Sequence, residues 1–305
     1  MAACGHPWTR ALVTGASSGI GRAMVEVLAA AGVPTVAVAR RVDRLEALAA
    51  RHPGVEPLAA DLHDPVDRRR VTDRLGDDGA GAVDLLVNNA GFGATGPFAS
   101  VGIAAHLEQL DLNCAALVAL SHAFVQPRPT PARRWLLNVS SVAGFVAAPG
   151  AATYAATKAF VTSFSEALAQ EGRADGIVVT ALCPGLTRSE FHQRATGYSG
   201  RPGLASHAPR WAWMSAEAVA VAGLRGVERG APVVVPGALN RLLVAGAAVV
   251  PRPLRASAAP GSAAADPPLT GPCQPRAARV GRGARPGCLV ASTSRSVGRR
   301  RRDRR

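Results

Sequence analysis

Apolar and polar positions over the first 250 residues follow two alternating rhythms. Short β-branched runs bounded by Gly, Pro or Asn read as strands, and Ala/Leu-rich stretches between them carry the three-to-four spacing of helices. The run ALVTG (11–15) precedes a helix predicted over 20–31, and PTVAVA (34–39) precedes one over 43–51. Further strands are predicted at 55–60, 83–87, 135–139, 177–182 and 232–235, which brings the count to seven. Strand–helix alternation of this kind builds βαβ units, because parallel neighbours need a crossover that a helix supplies. The expected fold is α/β, a single doubly wound parallel sheet of about seven strands with helices on both faces.

The rhythm breaks twice. In VQPRPTPARR (125–134), Pro127, Pro129 and Pro131 forbid continuation of the preceding helix, so a loop is expected. From Pro251 onward Pro, Gly, Ala, Ser and Arg dominate without apolar period and the chain ends RRRRDRR. Such a composition does not offset the entropy of ordering it, so the expected organisation is a folded domain over 1–250 and a disordered basic tail over 251–305. The apolar stretch 242–250, closed by Pro251, is about half the roughly 20 residues of a membrane span and reads as a buried helix.

Composition changes the picture in one respect. The formal charge of +14 suggests a polyanionic partner, but residues 251–305 hold thirteen Arg against two Asp, so the tail carries most of the excess. No specific nucleic-acid partner is expected for the domain, and the tail needs no function to explain it. Cys4, Cys114, Cys183, Cys273 and Cys288 show no paired spacing, which argues against a disulfide framework or a metal site. The opening MAACGHPWTRALVTG lacks the apolar stretch of a signal peptide, and a cytoplasmic protein is expected.

Candidate chemistry gathers at the ends of the predicted strands. Thr14-Gly15-Ala16-Ser17-Ser18-Gly19-Ile20-Gly21 follows the first strand and opens a helix, where glycines let the backbone approach a pyrophosphate at the positive helix end. Its GxxxGxG spacing differs from the GxGxxG of the common dinucleotide fingerprint of Rossmann-type sheets. After the second strand, where a carboxylate would select the 2′-hydroxyl of NAD, stand Arg40 and Arg41 and no acid from 34 to 42. Arg40 is the expected partner of a 2′-phosphate, so NADP is preferred over NAD. Asp61-Leu62 closes the third strand beside the same cofactor edge, and Asn88-Asn89-Ala90-Gly91 follows the fourth with amides and a small pair that permits close backbone approach.

Tyr154-Ala155-Ala156-Thr157-Lys158 places a phenol and an ammonium one helical turn apart on one face. A neighbouring cation is expected to lower the Tyr pKa toward the range in which the phenol exchanges a proton with a substrate oxygen. Lys158 is the single lysine among 35 Lys and Arg residues, so this position is one where a generic guanidinium does not serve. Ser141 lies thirteen residues upstream at the end of the fifth strand, where its hydroxyl can hold the substrate oxygen. Ser140 competes for that role, but successive strand side chains point to opposite sides.

With these residues in place, the sequence resembles the short-chain dehydrogenase/reductase family, in the branch carrying TGxxxGxG, NNAG, YxxxK and a PG segment in this order, over about residues 8–240. The resemblance implies Tyr154 as proton donor or acceptor, Lys158 on the nicotinamide ribose, Ser141 on the substrate oxygen and Asn113 holding a relay water. It also implies Pro184-Gly185, Thr187 and Ser189 near the nicotinamide amide, and a homodimer or homotetramer. The Pro-rich 125–134 stretch departs from the family pattern near the helices that would pair, and Ser189 stands where Thr is frequent. The implied activity is hydride transfer between a nicotinamide and a carbonyl or secondary alcohol, with an apolar substrate suggested by Phe191, His192, Tyr198, Trp211 and Trp213 in a segment 186–215 that would cover the pocket. The rival reading is a catalytically silent NADP-binding regulator or scaffold, but all four expected catalytic residue types are present.

Overall fold

The structure is a computed structural model that describes residues 6–79, 81–128, 133–191 and 208–249. By contacts the chain divides into Met1–Pro260 and Gly261–Arg305, and every described residue belongs to the first unit. The expectation for the basic tail lies outside the described residues.

The strands are β1 (Ala11–Thr14), β2 (Thr35–Ala39), β3 (Val55–Ala59), β4 (Leu85–Asn88), β5 (Arg134–Val139), β6 (Ile177–Leu182), β7 (Thr187–Arg188), β8 (Met214–Ser215) and β9 (Val233–Val234). Seven of them form one parallel sheet in the order β3-β2-β1-β4-β5-β6-β9, while β7 and β8 pair separately. The order reverses between β1 and β4, and that switch point lies where doubly wound sheets bind ligands beyond their carboxyl ends.

Each central strand is buried on both faces, and its alternate residues divide between two cores. Ala11, Val13, Leu85, Val87, Trp135 and Leu137 join a core with α1 (Gly19–Ala30), α2 (Val42–Arg51) and the late helix Ala216–Glu228. Leu12, Val36, Val38, Leu86 and Leu136 join the opposite core, with α3 (Pro65–Gly76) and α5 (Leu117–Val125). The period of two in the strands therefore sets which helix layer each side chain meets. Numbering along the chain, α4 is Ile103–Leu110, α6 Ala152–Glu171, α7 Ala216–Glu228 and α8 Ala238–Val249.

Helix ends follow local chemistry. Asp64 accepts from the Val66 and Asp67 amides ahead of Pro65 to start α3, and Ser215 accepts from Ala218 to start α7. α5 ends at Val125, ahead of Pro127, as the proline argument requires.

Helical backbone runs without a break from Ile103 to Val125, through a π-helical stretch at Asp111–Ala116. These 23 residues meet the length and hydropathy of a span, yet Gln109, Asn113, Leu120, Ser121 and Phe124 are buried within the protein. The run is thus a layer of this α/β fold.

One expectation is corrected. The stretch from Leu242 is helical, within α8, but it is not buried: Leu242 is 70% and Leu243 58% exposed. Periodicity reported an apolar helix. It carried no information on whether an element of the fold would lie against that face.

Candidate active site

The Gly-rich turn is held by the segment after β4. Thr14 Oγ1 accepts from the Asn89 and Ala90 amides at 2.9 and 3.0 Å, and Asn89 Nδ2 returns a bond to the Thr14 carbonyl at 2.8 Å. Gly15 and Gly19 adopt φ of +66° and +57°, which side chains disfavour. A Cβ at Gly21 would sit 2.5 Å from the Gly15 carbonyl oxygen and against Asn89 Nδ2, so α1 can start here only with glycine. Asn88 belongs instead to a buried ladder beneath, through Ser121 and Asn138 to Ser165.

The first turn of α1 presents its positive end. Ser18 is the N-cap, but its side chain does not cap the helix, and no acid stands in the first turn. Both Ser17 and Ser18 hydroxyls instead receive Arg41, whose Nη2 lies 2.8 Å from each Oγ and whose Nε lies 3.0 Å from that of Ser17. The guanidinium also pairs with Glu190 at 2.8 Å, and Arg44 pairs with the other Glu190 oxygen. These two arginines hold the Glu190 carboxyl well below the usual range, at about 2.

Both arginines after β2 lie at this corner. Arg40 is 61% exposed along its side chain and lies 3.6 Å from Asp61, while its neighbour Arg41 turns to the glycine-rich turn. Successive residues leaving a strand point to opposite sides, and that choice is not visible in an Arg-Arg pair. Arg41, Arg44 and Glu190 are the residues that sequence reasoning missed as members of the site. Arg41 had a signal, as the second cation after β2, and Glu190 had none. Asp61 closes β3 on the same edge with Leu62 buried behind it.

At the catalytic end, β5 delivers Ser140 and Ser141 to opposite sides. Ser140 Oγ donates to the Lys158 carbonyl at 2.7 Å and meets Thr162 at 2.8 Å, which ties it into α6. Ser141 Oγ accepts from the Ala143 amide at 3.1 Å, donates to the Pro184 carbonyl at 3.5 Å and is near enough to the Tyr154 phenol to pull its pKa down. Lys158 Nζ donates to the Val139 carbonyl at 2.9 Å and lies 5.8 Å from the centre of the Tyr154 ring. Gly144 packs so tightly that a Cβ there would lie 2.8 Å from the Lys158 backbone.

The expected electrostatic direction is reversed at Tyr154. Burial pushes the phenol up to about 12, with the Ser141 hydrogen bond pulling the other way, and Lys158 is not among the causes. The ammonium is itself pushed down to about 8 by burial, opposed by Cys114 and Cys183. At this spacing desolvation outweighs the helical-turn Coulomb argument, because both groups leave water together.

Asn113 occupies the π-helical stretch, and its amide is committed to the protein. Its Oδ1 accepts from the Phe92 amide at 3.1 Å, and its Nδ2 donates to the Phe92 carbonyl and to Thr157 Oγ1. A Cβ at Gly91 would lie 2.8 Å from Asn113 Oδ1 and 3.7 Å from Lys158 Nζ, so this glycine leaves the ammonium its approach.

The Pro184 carbonyl receives the Val142 amide at 3.0 Å, joining the PG segment to the Ser141 turn. Gly185 rests against Asn240 of α8, a contact no motif announced. Thr187 is buried with its hydroxyl on the Gly185 carbonyl, and Ser189 lies against Gly19. Phe191 lies beside Tyr154 at 5.5 Å between ring centres, while Trp211 is 75% exposed and Trp213 Nε1 donates to the Ala208 carbonyl. His192 and Tyr198 lie outside the described residues. Among the described residues no His, Cys, Asp and Glu cluster could hold a metal.

The donor set fits an anionic dinucleotide: an uncapped helix start, two hydroxyls and two guanidiniums at one end of the sheet edge, and a buried ammonium at the other. The sequence profile described as short chain dehydrogenase matches residues 9–197. An uncharacterized oxidoreductase of Myxococcus xanthus is 38% identical over 185 residues, covering 59% of this chain and 73% of that protein. Carbonyl reductase (NADPH) 2 of Sus scrofa is 35% identical over 190 residues, 61% and 75% of the two chains. The solved structure of a short-chain dehydrogenase from Sphingobium yanoikuyae in complex with NADPH is similar at a TM-score of 0.69 and 34% identity, covering 85% of this chain and 98% of that one. With the sheet order and the Tyr154–Lys158 helix, these matches establish that the chain belongs to the short-chain dehydrogenase/reductase family and is an NAD(P)-dependent oxidoreductase acting on CH–OH or C=O groups.

Proposed function

We propose that this oxidoreductase works with NADP in preference to NAD, on a carbonyl or secondary alcohol of apolar character, with Tyr154 as general acid and base. The observation that carries the reading is the grouping of a half-buried Tyr154 with the buried Ser141 hydroxyl and with Lys158, whose ammonium lies 5.8 Å from the centre of the phenol ring. A bound nicotinamide supplies the hydride. Ser141 and Tyr154 hold the substrate oxygen between two hydroxyls. A phenol at about 12 stays protonated until an alkoxide develops beside it, and then donates. Lys158, still largely protonated at neutral pH, stabilises the phenolate that remains and would hold the ribose hydroxyls of a bound nicotinamide nucleotide.

Arg41 with Ser17 and Ser18 supports the preference for a 2′-phosphate, and Arg44 adds a second cation. Gly15, Gly19, Ile20 and Gly21 line the pyrophosphate turn, and Asp61 with Leu62, Ala90 with Gly91, and Pro184, Gly185 and Thr187 complete the cofactor edge. Asn89 acts by pinning the turn. Since the Asn113 amide is committed, its part in a proton relay rests on its main chain. Phe191 beside Tyr154 favours an apolar substrate.

Exposed Leu107, Leu110, Val118 and Phe160 on α4, α5 and α6 support pairing of two copies as a homodimer or homotetramer. The same reading places the enzyme in the cytoplasm, where Cys114 and Cys183 stay reduced. It takes residues 1–250 as the working domain, so a chain ending at residue 252 should keep fold and activity.

A panel of ketones and aldehydes with NADPH, followed by absorbance, tests the activity. Turnover that disappears in Tyr154→Phe with NADPH binding intact supports the reading. Tight NADPH binding without turnover of any carbonyl would favour the scaffold reading instead.

A further inference from the structure

We propose that Glu190 is an intramolecular competitor for the anion site of Arg41 and Arg44, so that a cofactor's 2′-phosphate enters by displacing this carboxylate. The inference deepens the cofactor reading above and rests on Arg41 being the 2′-phosphate partner.

The two carboxylate oxygens are divided between two cations: Glu190 Oε2 lies 2.8 Å from Arg41 Nη1, and Oε1 lies 2.5 Å from Arg44 Nη1. The Arg41 guanidinium is simultaneously held by the Ser17 and Ser18 hydroxyls. Two guanidiniums around one anion, one of them held in place by two hydroxyls, form a phosphate site in which a side chain of the same chain supplies the anion. The carboxylate is tethered there. Ser189 packs so close to the glycine-rich turn that a Cβ at Gly19 would be 3.0 Å from its own, and Phe191 on the other side packs against Tyr154. Residues 189–191 therefore run from the glycine-rich turn to the catalytic phenol, with Glu190 reaching into the anion corner between them.

Magnitudes make exchange possible. The paired side chains are between a quarter and two-fifths exposed, so the ion pairs are screened and individually weak. A phosphomonoester brings close to two charges and three acceptor oxygens, against one charge and two oxygens for the carboxylate. It can take over both guanidiniums, whereas a 2′-hydroxyl offers no charge and leaves Glu190 in place. Glu190 thus weakens binding of the phosphorylated dinucleotide and leaves the unphosphorylated one nearly untouched.

The test is calorimetric titration of wild type, Glu190→Gln and Glu190→Ala with NADP+, NAD+ and adenosine 2′-monophosphate, with melting curves to confirm that each variant is folded. Both variants should bind NADP+ and adenosine 2′-monophosphate about three- to tenfold tighter, with NAD+ changed less than about twofold, as loss of a partly exposed ion-pair competitor implies. Unchanged or weaker NADP+ binding overturns the proposal, since Glu190 would then only align Arg41. Equal tightening toward NAD+ overturns it as well. An Arg41→Ala arm separates the two levels. If that change leaves NADP+ affinity intact, the 2′-phosphate reading itself fails. If it weakens NADP+ while the Glu190 variants bind no tighter, only the competitor role fails.

Discussion

Lys158 Nζ lies 5.8 Å from the centre of the Tyr154 ring while donating to the Val139 carbonyl at 2.9 Å, so the ammonium is fixed by the sheet and not by the phenol it accompanies. Its position comes from the end of β5. The phenol instead finds its partner in Ser141, from the next turn of chain after the same strand. One strand end thereby sets the relative placement of acid, cation and oxygen holder.

Removing the phenol proton should abolish chemistry without dismantling the site. Tyr154→Phe is expected to lower kcat by at least about a thousandfold, within the range for a positioned acid. NADPH affinity measured by calorimetry should stay nearly unchanged, because the Ser17, Ser18 and Arg41 cluster is remote from the ring in the sequence and bonded independently.

Lys158 carries a stability signature with a definite sign. Its folded pKa of about 8 lies below the ordinary 10.5, so between those values the unfolded chain binds more protons and stability rises with pH. Below about pH 8 the whole burial cost is present, on the order of 3 kcal/mol, offset by about 1 kcal/mol for the Val139 hydrogen bond. Lys158→Met should accordingly melt higher than wild type at pH 7, and the gap should close as pH approaches 10.5. Denaturant titrations of both proteins across this range check it, and a gap independent of pH would contradict the buried-ammonium account.

Two glycines give opposite expectations. Gly21→Ala must push a methyl into the Gly15 carbonyl and Asn89, and should cost about 1–3 kcal/mol or more as overpacking against backbone. Gly76, at the end of α3, has nothing within 4 Å of a built Cβ, so Gly76→Ala should be neutral or slightly stabilising. Urea midpoints of the pair distinguish a steric requirement from a general glycine effect.

Adjacent arginines should separate functionally. Arg41→Ala is expected to weaken NADPH binding by about tenfold or more through loss of a charge-assisted partner, with NADH little affected. Arg40→Ala, removing an exposed group 3.6 Å from Asp61, should change NADPH affinity by about threefold at most. Equal losses in the two variants would show that the corner is read by total charge and not by Arg41.

Much of this molecule was legible from its letters because the deciding physics is local. Short apolar runs marked β1, β2, β4 and β5, and the period of two within each strand divides their residues between the two cores. Pro127 ended α5 because a missing amide stops a helix whatever surrounds it. The spacing of four put Tyr154 and Lys158 on one side of α6, and Gly15 and Gly19 answer positive backbone angles within the turn.

Tertiary structure decided whatever depended on groups distant in sequence. Ser141, and not Ser140, meets the phenol because α6 claims Ser140 through Lys158 and Thr162. Arg41, and not Arg40, pairs with Glu190, because it turns toward Ser17 and a glutamate 149 positions away. The Tyr154 pKa rises where a helical spacing alone had it fall, because only the packed fold sets how much water each group loses. Sequence specifies which groups can come together along one element, while charge state and choice of partner are set by the solvent that the assembled layers exclude.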